Sequence, residues 1–192
     1  MGQPRPTDGW RPVFYDAPTW QLWRDGDDRH VHVSPQGSPP ARQLIVDQGF
    51  TAGDIVGDFL TGRVRGRSVY PLQDMDMALY ANWLASYGDL IVHASGVDDA
   101  GEGYCFVGPS GAGKSTLADR LAARHAVTVL GEDQVIIRRI ERRFILYGTP
   151  WHTRPDRCAP GGIPLKKIFF LDRAGGDGVR PMAPAAAAEH LL

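Results

Sequence analysis

The chain has 192 residues, 43% of them hydrophobic and 22% charged, which suits a soluble globular protein of one domain or two small ones. A formal net charge of −1 excludes broad electrostatic capture of nucleic acid or of an anionic membrane, so neither is an expected partner. The two cysteines, Cys105 and Cys158, form no C-x-x-C pair and offer no zinc or thioredoxin-type site.

The segment Met1 to Trp10 is polar and proline-rich and lacks the apolar core of a signal peptide. No apolar run is long enough for a bilayer, so a cytoplasmic location is expected. Short β-type runs follow at Trp20 to Trp23, His30 to Ser34 and Gln43 to Val46. Turn clusters separate them, Asp25-Gly26-Asp27-Asp28 and Pro35-Gln36-Gly37-Ser38-Pro39-Pro40. Asp74 is placed to cap a helix in which Met75, Ala78, Leu79 and Trp83 recur at helical spacing, and Gly88 stops it. Met75 and Met77 read as core packing. Residues 1–88 are therefore expected to form a small β-rich N-terminal part with a closing helix, and they carry no chemical motif.

Residues 89–192 have a different character and are expected to form the catalytic domain. Leu90 to Ala94 reads as a buried strand, Gly96 to Gly103 as a turn, and Tyr104 to Val107 as the second arm of a hairpin. Cys105 falls in that arm as a small buried hydrophobe. A glycine-rich loop comes next, then a helix from Lys114 to Arg124 with Leu117, Ala118 and Leu121 as its apolar stripe. Val127 to Leu130 is a third strand, reached by a single βαβ crossover and followed at once by Glu132-Asp133. Val135 to Arg139 and Phe144 to Tyr147 form a hairpin whose tip, Arg138 to Arg143, reads as a solvated basic cluster. A Gly/Pro-rich loop runs from Gly148 to Pro164, and Lys167 to Leu171 is a further strand. The tail from Pro184 turns helical shortly before the sequence stops, which leaves room for a further C-terminal element.

The loop Gly108-Pro109-Ser110-Gly111-Ala112-Gly113-Lys114-Ser115 has the spacing G-x-x-x-x-G-K-[ST] of a phosphate-binding P-loop. Its glycines let the backbone wrap a phosphate, and successive N–H groups then form an anion nest. The helix begins at the loop, so its positive end faces the phosphates. Lys114 supplies charge to the β- and γ-phosphates, Ser115 offers a hydroxyl to Mg²⁺, and Thr116 follows as a helix residue. A strand before and a helix after are the context that the motif requires. Glu132 and Asp133 stand where a Mg²⁺-binding carboxylate belongs, at the end of the neighbouring strand. His93, alone on its strand, is more often a packed residue than a catalyst. The long loop from Gly148 suggests a lid, with Arg154 and Arg157 as cations for a transferring phosphoryl group, although a plain surface loop fits equally well.

His93-Ala94-Ser95-Gly96-Val97, the P-loop with Val107 before it and Thr116-Leu117 after it, and then Glu132-Asp133 together resemble the HPr kinase/phosphorylase catalytic domain and its relatives. The resemblance spans Leu90 to Leu171. It implies an α/β fold with a phosphoenolpyruvate carboxykinase-like, HPr kinase-like P-loop core. It places the strand histidine, His93, at the active site. The family has two aspartates after the strand, one acting as base on the acceptor hydroxyl while the pair helps to hold Mg²⁺. Here the first is the longer Glu132. The family's N-terminal recognition features do not match, so HPr is not the default acceptor. Relatives form oligomers, which makes a homo-oligomer an expectation as well.

These readings converge on an Mg-ATP-dependent kinase transferring a phosphoryl group to a hydroxyl, that of Ser or Thr in a protein or peptide. Lys114 and the loop would hold ATP, Ser115 and Asp133 would hold Mg²⁺, and Glu132 with His93 would accept the hydroxyl proton. A small-molecule kinase and a nucleotide-binding regulatory protein with little turnover remain open alternatives.

Overall fold

The computed structural model describes residues 9–16, 20–26, 28–33, 42–57, 63–64, 67–68, 72, 75–124, 127–151, 154–172 and 178–191. The chain divides into two compact units, Met1–Trp83 and Leu84–Leu192. In the first, strands β1 (Arg11–Asp16), β2 (Trp20–Asp25), β3 (Asp28–Val33), β4 (Arg42–Val46) and β5 (Gly53–Gly57) form an antiparallel meander in sequence order. Two short arms, β6 (Arg63–Val64) and β7 (Arg67–Ser68), pair separately. Helix α1 (Asp76–Ala85) follows. Leu22, Leu44 and Val46 meet Met75 and Ala78 in one apolar cluster, so the helical stripe does pack as core. Met75 is fully buried and Met77 half-buried. Asp74 and the cluster Pro35 to Pro40 lie outside the described residues.

The second unit contains β8 (Leu90–Asp99), β9 (Glu102–Val107), α2 (Lys114–Arg124), β10 (Val127–Gly131), β11 (Gln134–Ile140), β12 (Arg143–Gly148), β13 (Gly162–Phe170) and α3 (Pro184–Glu189). Its six strands form one mixed sheet. Pairing runs from β8 through β11, β12 and β13 to β9, which pairs with β8 again, so the ladder closes on itself. Closure leaves one enclosed face, filled by Val92, Ala94, Cys105, Val135, Ile137 and Leu146. The opposite face of Val97, Phe106 and Val129 receives Ala118 of α2, with Leu117 and Leu121 beside it, as the stripe predicted.

Five expectations need correction. The hairpin turn is much tighter than Gly96 to Gly103, because β8 continues to Asp99 and only Ala100 and Gly101 reverse the chain, at φ of 53° and 88°. Paired positive φ values match the twist of the flanking strands, as a type I′ turn requires. The crossover β9–α2–β10 is single as predicted, yet β9 and β10 are not neighbours: both run antiparallel to β8, which lies between them. The loop after β12 is shorter than Gly148 to Pro164, and it contains a 3-10 turn at Pro155–Arg157. The strand after it begins at Gly162, well before Lys167. Gly162 to Pro164 pair with β12, and from Leu165 the strand runs parallel to β9. Pro164 therefore sits where the strand changes partner, a position that tolerates a residue without an N–H. Lastly, the basic cluster is only partly solvated. The Arg138 Nε lies 3.1 Å from Asp89 Oδ2, and the Arg139 N–H donates to Asp89 Oδ1 at 3.2 Å.

Candidate active site

The P-loop occupies the turn between β9 and α2. Gly111 and Gly113 take φ of 75° and 98°, a region where a side chain is strained, and they curl the backbone into the helix start. Gly108 meets a different demand. A Cβ there would lie 3.0 Å from both the Ala112 Cβ and the Leu171 carbonyl oxygen. The end of β13 is fastened at the same place, since the Leu171 N–H donates to the Val107 carbonyl at 2.7 Å. Close approach of two backbones thus sets the mouth of the loop.

Lys114 is the first residue of α2 and is 6% exposed. Its Nζ donates to the Gly108 carbonyl at 2.7 Å and to the Pro109 carbonyl at 3.2 Å. Burial pulls its pKa below the ordinary 10.5, and the negative charge of Asp133 opposes that pull. The ammonium is thus held inside the loop by neutral carbonyls and lies within the field of one acid. Such a cation is poised for an anion with more negative oxygens than the carbonyls it now contacts. Ser115 and Thr116, next on the helix, are exposed. Ser110 and Pro109 are also open to solvent, and Ala112 turns the loop through its N–H, which donates to the Pro109 carbonyl at 3.0 Å.

The acidic pair stands in the gap between β10 and β11, both laid along one edge of β8. The Ala94 N–H donates to the Asp133 carbonyl at 3.1 Å, and the Ser95 hydroxyl donates to the Glu132 carbonyl at 3.2 Å. These bonds bridge the break in the ladder and fix the pair beside the strand that carries His93. The His93 Nδ1 lies 3.2 Å from Asp133 Oδ1, with the two side chains 53% and 41% exposed. Glu132, by contrast, is 6% exposed.

The structure thus brings His93, Asp133 and Lys114 into one neighbourhood. Arg154 and Arg157 are paired with an acid on α2. Arg154 Nη1 lies 3.1 Å from Asp119 Oδ2, and Arg157 Nη2 lies 2.8 Å from Asp119 Oδ1. Asp119 is four residues past Ser115, one turn along the same face of α2. Sequence reasoning missed this acid. Its only signal was a carboxylate one helical turn beyond the P-loop hydroxyl.

A half-open cavity of about 660 Å³ adjoins the loop and includes His93, Gly108 and Pro109 in its lining. Among the described residues, no group of three or more His, Cys, Asp or Glu is placed to hold a metal ion by itself. Mg²⁺ on a nucleotide needs only one or two carboxylates besides phosphate oxygens and water, and Ser115 with Asp133 fits that requirement. No helix among the described residues is long and apolar enough to cross a membrane.

Comparison with known families matches residues 104–154 to the AAA domain, a P-loop NTPase and kinase-type family. The match runs from β9 through the loop, α2 and the acidic pair to Arg154. No curated protein matches the chain. Residues 104–154 are therefore similar to a P-loop segment of the NTPase and kinase type, a likeness that suggests nucleotide binding.

Proposed function

We propose that this protein is an Mg-ATP-dependent phosphotransferase of the HPr kinase-like type, acting on a hydroxyl of Ser or Thr in a protein or peptide. The observation that carries the proposal is the acid–imidazole pair of Asp133 and His93 beside the cation of the P-loop. A loop that only bound Mg-nucleotide would need Lys114 and an acid such as Asp133, but not the imidazole beside it.

The triphosphate would lie on the N–H groups of the loop, with Lys114 exchanging its carbonyl partners for β- and γ-phosphate oxygens. Ser115 and Asp133 would hold Mg²⁺, which neutralises the phosphate charge. The acceptor oxygen forms a bond to the γ-phosphorus as the bond to the β,γ-bridging oxygen breaks, and ADP leaves. The hydroxyl proton passes to the protein. With Nδ1 facing the carboxylate, His93 presents its other nitrogen as an acceptor, and Asp133 orients the ring. The exposure of this pair suits contact with an acceptor better than the buried carboxylate of Glu132, so Glu132 is the second choice for the base. The roughly 660 Å³ cavity beside His93 also has room for a small-molecule acceptor, which keeps that alternative in play.

The test is a mass-spectrometric search for proteins that gain phosphate on Ser or Thr when incubated with the protein and Mg-ATP, starting with those encoded beside its gene. The expected result is transfer that Lys114→Ala and His93→Ala both abolish. ATP binding with no transfer to protein, peptide or small alcohol would favour the regulatory reading instead.

A further inference from the structure

The cavity beside the P-loop has an asymmetric lining. One side holds the chemistry, with His93 and Pro109 at the edge of the loop. The walls are mainly apolar, with Ile91 on β8 and Phe170 on β13, and Asp172 adds a carboxylate just past β13. The remaining wall comes from far along the chain, where Met182 and Leu191 flank α3. That segment is fastened to the core. Leu191 packs against the enclosed apolar face of the sheet, and the His190 ring lies 5.4 Å from that of Phe170. The phosphates would lie on the start of α2, so a molecule in the cavity would approach them from the His93 side. Its volume of about 660 Å³ falls in the range of small-ligand sites and holds a few amino-acid residues.

We propose that this cavity receives the acceptor, a serine or threonine hydroxyl carried beside an apolar side chain, with the segment Met182 to Leu191 as its outer wall. The inference rests on the kinase reading above and adds the class of acceptor. An apolar neighbour would pack on Ile91, Phe170 and Met182, while the hydroxyl would stand at His93. Transfer then follows the balance already given, with the proton taken at the His93–Asp133 pair and ADP as leaving group. An acidic neighbour would be disfavoured, because its carboxylate would be set against apolar walls in a cavity that Asp172 also lines.

The test uses methyl-labelled methionine, ring-labelled histidine and amide-labelled glycine in the whole chain, observed by NMR before and after saturation with Mg-ADP. The probes are three capped tripeptides: leucine–serine–leucine, leucine–alanine–leucine and aspartate–serine–aspartate. The first should shift the Met182 methyl and the His93 ring, and the second should shift Met182 with a smaller effect at His93. The third should bind about tenfold more weakly or worse, and Met182→Glu should weaken the first about fivefold. Met75, in the core of the other unit, is the internal control. A silent Met182, or equal response to all three peptides, would overturn the proposal. The amides of Gly111 and Gly113 report Mg-ADP separately. If they fail to respond, the nucleotide reading fails; if they respond while Met182 stays silent, only the acceptor assignment fails.

Discussion

Lys114 illustrates how burial and charge decide what a single residue does. Its folded pKa lies below the ordinary 10.5 because water is excluded from it. Below that lowered pKa the residue is charged in both folded and unfolded chains, and the burial penalty is present in full. As pH rises from the lowered value towards 10.5, the folded state releases its proton first, so the penalty fades. The stability difference between Lys114→Met and the unaltered protein, followed by denaturant titration without nucleotide, should therefore shrink with rising pH in that alkaline window. A phosphate bound beside the ammonium would favour its charged form and so oppose the shift. Nucleotide binding in the same window should take up a proton, seen as a dependence of calorimetric heat on the buffer's ionisation enthalpy. Cys105 shows the inert extreme, with burial pushing its thiol up to about 12. Alkylation of the folded protein near neutral pH should spare Cys105 while the unfolded chain reacts.

Between elements, the tightest constraint is the crossing of the loop mouth with the end of β13. Gly108→Ala would push a methyl group against the Ala112 side chain and the Leu171 carbonyl. A destabilisation of about 1–3 kcal/mol is expected from such overpacking, with weaker nucleotide binding, measured by thermal unfolding and calorimetry. The loop from 149 to 161 holds its arginines on Asp119, so a lid that reached the phosphates would first have to give up those pairs. Asp119→Asn should loosen the loop, read as faster hydrogen exchange over 154–158. These features explain what the sequence made legible. The P-loop, α2 and its stripe, and the β11–β12 hairpin were readable because glycine spacing and apolar periodicity are local signals. The neighbourhood of His93 and Asp133 came only through a family resemblance, since it depends on β10 and β11 sharing one edge of β8. The Arg154–Asp119 pairing and the passage of β13 from β12 to β9 depend on contacts between distant residues, which no local pattern encodes.

At the scale of the whole molecule, the two units each hold apolar clusters of their own. The P-loop, His93, the acidic pair and the cavity all belong to the second. A fragment of residues 84–192 is therefore expected to fold and to bind nucleotide, checked by circular dichroism and calorimetry; an unfolded fragment would show that the N-terminal part is needed for stability. The central claim is that the loop from Gly108 to Ser115 holds the phosphates of ATP through a buried lysine. Its most direct test is calorimetry of a non-hydrolysable ATP analogue with Mg²⁺ on the intact protein and on Lys114→Ala. The account predicts saturable binding to the intact protein and a loss of about tenfold to a hundredfold in the variant, the value of a charge-assisted contact. Equal affinity in both proteins, or no binding to the intact one, would contradict it.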